Sequence, residues 1–221
     1  MGGNAIQIKK IILSFLLLIL LFGCQKPLTV KSYYDGDKPM WEHINNAKSP
    51  VEFKDVPKGV IIPHHAITST YVASFYNGLS KKINPKTIFL LCPNHFETGE
   101  NPIITGNNLV FKTVYGELKT NNDIVNELVK KRLATINNKS FIKEHGVFFH
   151  APFIKKYFPD AKIVPILQAW KNSKEENDKI ADFIQKYLNR DGFVIASVDF
   201  SHYQIKSVAD FHDETSFTVI T

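Results

Sequence analysis

The stretch Thr87-Ile88-Phe89-Leu90-Leu91-Cys92-Pro93-Asn94-His95 decides the fold. Its apolar run lacks the polar alternation of a half-solvated strand, so it reads as a strand covered on both faces, the situation of a parallel strand between helices. Pro93-Asn94 then turns the chain on a stiff corner and delivers His95. The same design occurs twice more. Val60-Ile61-Ile62-Pro63 leads to His64, and Val194-Ile195-Ala196-Ser197-Val198 leads to Asp199 and His202. Strand ends in an open α/β sheet are where such folds build their sites. Imidazole and carboxylate brought to one rim point to a first-row metal site or an acid/base site.

Between these strands lie helical patterns. Tyr71, Phe75 and Leu79 recur at helical spacing within a helix from Thr70 to Lys81. Asn121 is placed to cap a helix carrying Ile124, Leu128 and Val129. His145 to Tyr157 reads as helix restarting at Pro152, since proline suits a first turn. Ser173 and Glu176 form a capping box for a helix through Ile180, Ile184 and Leu188. Ile163 to Leu167 is a further strand, with Pro165 inside it as its weak point. Alternating strands and helices predict an α/β fold with a mainly parallel central sheet flanked by helices.

The amino terminus reads as an address. Lys9 and Lys10 precede the apolar run from Ile11 to Phe22, which is short for a spanning helix, and Leu21-Phe22-Gly23-Cys24 resembles a lipobox. Residues 1–23 are therefore expected to be a lipoprotein signal peptide, with Cys24 lipidated and the remainder held outside the cytoplasmic membrane of a bacterial envelope. Residues 24–56 read as a tether and lead-in, and 57–221 as the α/β domain. The end at Thr218-Val219-Ile220-Thr221 falls inside an apolar segment, so the domain is expected to be incomplete there. Consuming Cys24 leaves Cys92 alone, and no internal disulfide can form. The net charge of +6 falls to about +4 without Lys9 and Lys10, and the lysines are scattered. That pattern argues against nucleic acid as a partner.

His64 and His95, read as leaving adjacent strand ends, are the pair expected at a metal ion, because neutral imidazole suits iron, copper or zinc. Asp199 can serve as an anionic ligand, as a base, as the partner that fixes an imidazole tautomer, or as a turn cap. His65 shares a corner with His64, so it orients the site from outside or faces solvent. His145 and His150 are not at the i, i+4 spacing, so they act separately, one lining the pocket and the other packing or bonding. Cys92 reads as an inert buried thiol, with approach to an ion at His95 as the alternative. No phosphate-binding glycine loop and no G-x-S-x-G elbow are present.

Taken in order, Pro63-His64, Pro93-Asn94-His95, Glu144-His145 with His150, and Ser197-Val198-Asp199-Phe200-Ser201-His202-Tyr203 resemble the Memo family, whose bacterial members are often called AmmeMemoRadiSam system protein B. The resemblance implies a fold similar to the class III extradiol dioxygenases, which use non-haem iron(II). It matches His64 and His95 to the family's metal-binding histidines, and Asp199 with His202 to its strand-end pocket pair. It also matches His145 and His150 to the family's helical histidines. The family's cysteine ligand near the carboxyl end has no counterpart here, and its acidic residue in the Glu-His motif falls at Phe148. The expectation is an iron- or copper-dependent oxidation of a small molecule, with zinc as a further option for the ion. His64 and His95 bind the ion, Asp199 or a later residue completes it, and His202 or His145 handles protons. The alternatives are a non-catalytic metal- or ligand-binding lipoprotein and a zinc-type hydrolase.

Overall fold

The computed structural model describes residues 26–32, 38–46 and 50–220. A six-stranded sheet forms the centre, in the order β2 (Gly59–Ile62), β9 (Gly192–Ser197), β3 (Thr87–Pro93), β8 (Lys162–Gln168), β4 (Ile103–Thr105) and β7 (Thr135–Ile136). β2, β9, β3 and β8 are mutually parallel, and β4 joins β8 antiparallel. A smaller sheet pairs β1 (Leu28–Lys31) parallel with β5 (Leu109–Thr113), and β5 antiparallel with β6 (Gly116–Lys119).

The continuous apolar run of β3 is explained by burial on both sides. Ile88, Leu90 and Cys92 point into a core shared with Val72, Tyr76 and Leu79 of α2 (Ser69–Ser80) and with Phe153 and Ile154 of α5 (His150–Tyr157). Phe89 points the other way, into a core with Val125 and Leu128 of α3 (Asn122–Lys130) and Ile180, Phe183 and Ile184 of α6 (Lys174–Leu188). Residues alternate across the strand, so one segment feeds two hydrophobic layers.

Several local readings hold. Ser173 accepts from the Glu176 N–H while the Glu176 side chain returns to Ser173, so the capping box starts α6. Asn121 stands at the N-cap of α3, but its amide donates to Thr87 Oγ1 at 2.9 Å and makes no cap bond. The expected helix from His145 is interrupted at Phe149, giving α4 (His145–Phe148) and then α5. Phe149 keeps helical dihedrals. The break lies in the hydrogen bonding, because Pro152 has no N–H to give the carbonyl four residues earlier. Pro165 sits well inside the sheet. Its carbonyl accepts from Thr105 Oγ1 at 2.8 Å. β4 ends at Thr105 opposite Ile166, so no ladder acceptor waits for the missing donor.

The lead-in contributes to the folded unit. β1 extends the small sheet, and α1 (Lys38–Asn46) buries Trp41 and Ile44 against α2. The final helix, α7 (Lys206–Ile220), has no buried residue. A cavity of about 590 Å³ separates its Phe217 and Ile220 from Ile61 and Ala196 of the sheet.

Candidate metal centre

β9 runs between β2 and β3, so His64 and His95 do not leave adjacent strands, as the sequence suggested. They converge across the end of the strand between them, with ring centroids 4.9 Å apart. His64 is buried, follows Pro63 at the end of β2, and donates its backbone N–H to Asp199 Oδ1 at 2.8 Å. Its Nδ1 lies 2.9 Å from Ser197 Oγ and its Nε2 lies 3.5 Å from Asp199 Oδ2. His95 is held by a side-chain turn. Buried Asn94 accepts from the Thr98 N–H at 3.2 Å and donates Nδ2 to the Thr98 carbonyl at 2.8 Å. That closes the loop after β3.

The third ring comes from α4. His145 is the first residue of that helix, and its ring lies 4.0 Å from His95 and 5.3 Å from His64. One nitrogen from each of His64, His95 and His145 lies within 4.8 Å of the others, so the three form a group that can hold a metal ion. His145 was expected to line the pocket or, as the alternative to His202, to handle protons. Its position at the helix start, with its backbone fixed by the preceding cap, places it beside the other two imidazoles.

Glu144 was seen in the sequence only as the residue before His145. It is fully buried, and its carboxylate accepts three N–H groups: Nδ1 of His95 at 2.6 Å, the His95 backbone at 3.1 Å and the Gly146 backbone at 3.1 Å. Its Oε1 also lies 3.9 Å from Nδ1 of His145. A buried carboxylate needs compensating positive charge. A cation between the imidazoles would supply it, so the donor set fits a metal ion. Ser197, read as part of the apolar strand and of the motif that follows it, is likewise fully buried. Its hydroxyl donates to the Gly146 carbonyl at 2.8 Å.

Burial pushes the His64 imidazole down to about 4, against the opposing pull of Asp199, with His95 and His145 pushing further down. Burial, then His95, lowers His145 as well. Both rings are therefore neutral at neutral pH, the form that ligates metal. His64 is closed to water, whereas the side chains of His95 and His145 remain 27% and 28% exposed, which leaves one side of the group open.

The other expected residues lie around this group. Asp199 Oδ2 stands between His64 and His202, 3.4 Å from Nε2 of the latter, which is half exposed. The Ser201 N–H and hydroxyl both reach Asp213 Oδ1 on α7, at 3.1 and 2.8 Å. His65 is exposed, and its ring accepts from the Ile67 N–H. His150 is fully buried and bonds Tyr76 through Nδ1 at 3.0 Å, away from the cluster. Cys92 donates its thiol to the Gly146 carbonyl at 3.1 Å, and burial pushes that thiol well up, so it remains protonated outside the ligand group.

The sequence profile of the family described as Memo-like protein matches residues 32–218. A MEMO1 family protein of Pyrobaculum arsenaticum is 30% identical over 73% of the chain and 59% of its own length. One from Methanothermobacter thermautotrophicus is 26% identical over 74% of the chain and 61% of its own length. One from Caldivirga maquilingensis is 25% identical over 86% and 72%. The chain thus spans about three fifths of the first two relatives. With the family profile covering most of its residues, the chain belongs to the Memo-like family.

Proposed function

We propose that this protein holds one iron or copper ion between His64, His95 and His145 and oxidises a small molecule with oxygen. The observation that carries the reading is the convergence of the three imidazoles, two of them backed at Nδ1 by Ser197 and Glu144. Such backing is the usual outer shell of a metal-ligating histidine. The bound ion would supply redox chemistry and a Lewis acid. Around it, Asp199 anchors the His64 backbone and faces His202, which is open to solvent. That pair is placed to pass a proton between the pocket and water. The open side beside His95 and His145 leaves room for a small substrate.

Metal analysis of the purified protein checks the assignment. Wild type should carry iron or copper near one per chain, and His64→Ala, His95→Ala and His145→Ala should each lose most of it. Equal metal content in all four overturns the site. Oxygen uptake by the iron-loaded protein with candidate catechols separates oxidation from mere binding. The second reading, a non-catalytic metal- or ligand-binding lipoprotein, is favoured by Phe148, a buried apolar residue where the family motif is acidic.

The proposal extends to location. Residues 1–25 lie outside the described structure, and no helix among the described residues is long and apolar enough to cross a membrane. The Lys9-Lys10 flank, the apolar run and Cys24 support a lipid-tethered protein outside the cytoplasmic membrane. Expressed in bacteria, the full chain should fractionate with membranes, and Cys24→Ser should release it or leave the leader uncleaved. Identical fractionation and mass for both would end this assignment.

A further inference from the structure

We infer that the backbone N–H and carbonyl of Gly146 together fix the tautomers of two ligand histidines, with Ser197 and Glu144 as the positioning residues between them. The inference rests on the proposed metal site, but its hydrogen-bond logic stands on the protein alone. Ser197 Oγ is 2.8 Å from the Gly146 carbonyl oxygen and 2.9 Å from His64 Nδ1. Two oxygens at that separation need a proton between them, and a carbonyl has none to give. The hydroxyl therefore spends its single hydrogen on Gly146. Its remaining capacity toward His64 is as an acceptor, so His64 must carry its proton on Nδ1. Nε2 is left as a bare lone pair.

The other end of the same residue governs His95. The Gly146 N–H donates to Glu144 Oε1 at 3.1 Å, and that oxygen accepts from His95 Nδ1 at 2.6 Å. His95 is thus also protonated on Nδ1. Gly146 follows His145 in the chain, so one residue joins the outer nitrogens of two rings and is bonded to the third. Ser197 and Glu144 are both fully buried, so water does not compete for either chain of bonds. Ser197 can serve here because it ends β9, the strand flanked by the two that deliver His64 and His95. A Cβ at Gly146 would sit 3.4 Å from Cys92 Cβ, Glu144 Oε1 and His95 Cε1, so a longer side chain would displace the assembly.

Nitrogen NMR of the imidazole rings in chelator-treated protein at neutral pH tests this directly. His64 and His95 should each show the proton on Nδ1. In Ser197→Ala the His64 ring should lose that single tautomer while His95 keeps it, and iron(II) affinity should fall roughly 10–100-fold. Ser197→Thr, which keeps the hydroxyl, should restore both. A wild-type His64 protonated on Nε2 overturns the relay without any variant. So does Ser197→Ala with an unchanged His64 tautomer, or Ser197→Thr behaving like alanine. If wild type shows both Nδ1 protons but takes up no ion, the relay stands and the metal reading fails.

Discussion

His150 shows what a buried imidazole does away from the cluster. Its Nδ1 meets Tyr76, while its buried Nε2 has no hydrogen-bond partner among the described residues. Burial pushes its pKa down to about 3, and His64 follows at about 4. At neutral pH these rings are neutral in both folded and unfolded protein. As pH falls through the ordinary value of 6.5, the unfolded chain takes up protons that the folded protein refuses until about 4 and 3. Stability is therefore complete above 6.5 and drains away as acid is added across that window, at up to about 1.36 kcal/mol per pH unit per group. Urea melts of metal-free protein should show this slope. Tyr76→Phe with His150→Leu, which removes both partners of the bond, should remove the His150 share of it and leave that of His64, without large loss at neutral pH. An unchanged slope in the double variant would refute the assignment. At this scale His64 and His95 were legible because proline corners mark the ends of apolar strands. Glu144 and Ser197 were not, since nothing in a linear motif tells that a carboxylate folds under its neighbour or that a strand's last hydroxyl turns inward.

Elements were legible in proportion to their length and punctuation. β3, β9 and α6 carry long apolar runs or a capping box, and each appears within a residue or two of its expected bounds. β4 and β7 have three and two residues, too few for any periodicity, so the antiparallel edge of the sheet was not foreseen. The split between α4 and α5 was half legible. Pro152 announces it, but the interruption falls upstream at Phe149, because the donor missing from Pro152 would have bonded a carbonyl four residues earlier. The α6 cap gives a quantitative check. Ser173→Ala should cost about 1 kcal/mol in a urea melt by stranding the Glu176 N–H, with metal content unchanged. A cost near zero would mean that tertiary packing alone starts the helix.

For the whole molecule, the sheet order explains why the site survives across three separated sequence motifs. β9 is inserted between β2 and β3, so one rim collects His64, His95, Ser197 and Asp199. The parallel α/β architecture was legible from alternation alone. The reach of the domain into Leu28–Lys31 and Lys38–Asn46 was not, because β1 is short and α1 buries only Trp41 and Ile44 among its described side chains. The far end differs. α7 has no buried residue and faces the sheet across an apolar gap. Helices anchored so lightly open first. Limited proteolysis should cut between Tyr203 and Lys206 before any site in the sheet, leaving a folded product. Cleavage that starts within β3 or α6 would contradict this.

The Ser201 bonds to Asp213 give that weakly seated helix a second meaning. It is a handle on the rim. Whatever tugs α7 aside also unfastens the loop bearing Asp199 and His202, and with it the backbone anchor of His64, while the rings of His64 and His95 stay braced from beneath by Ser197 and Glu144.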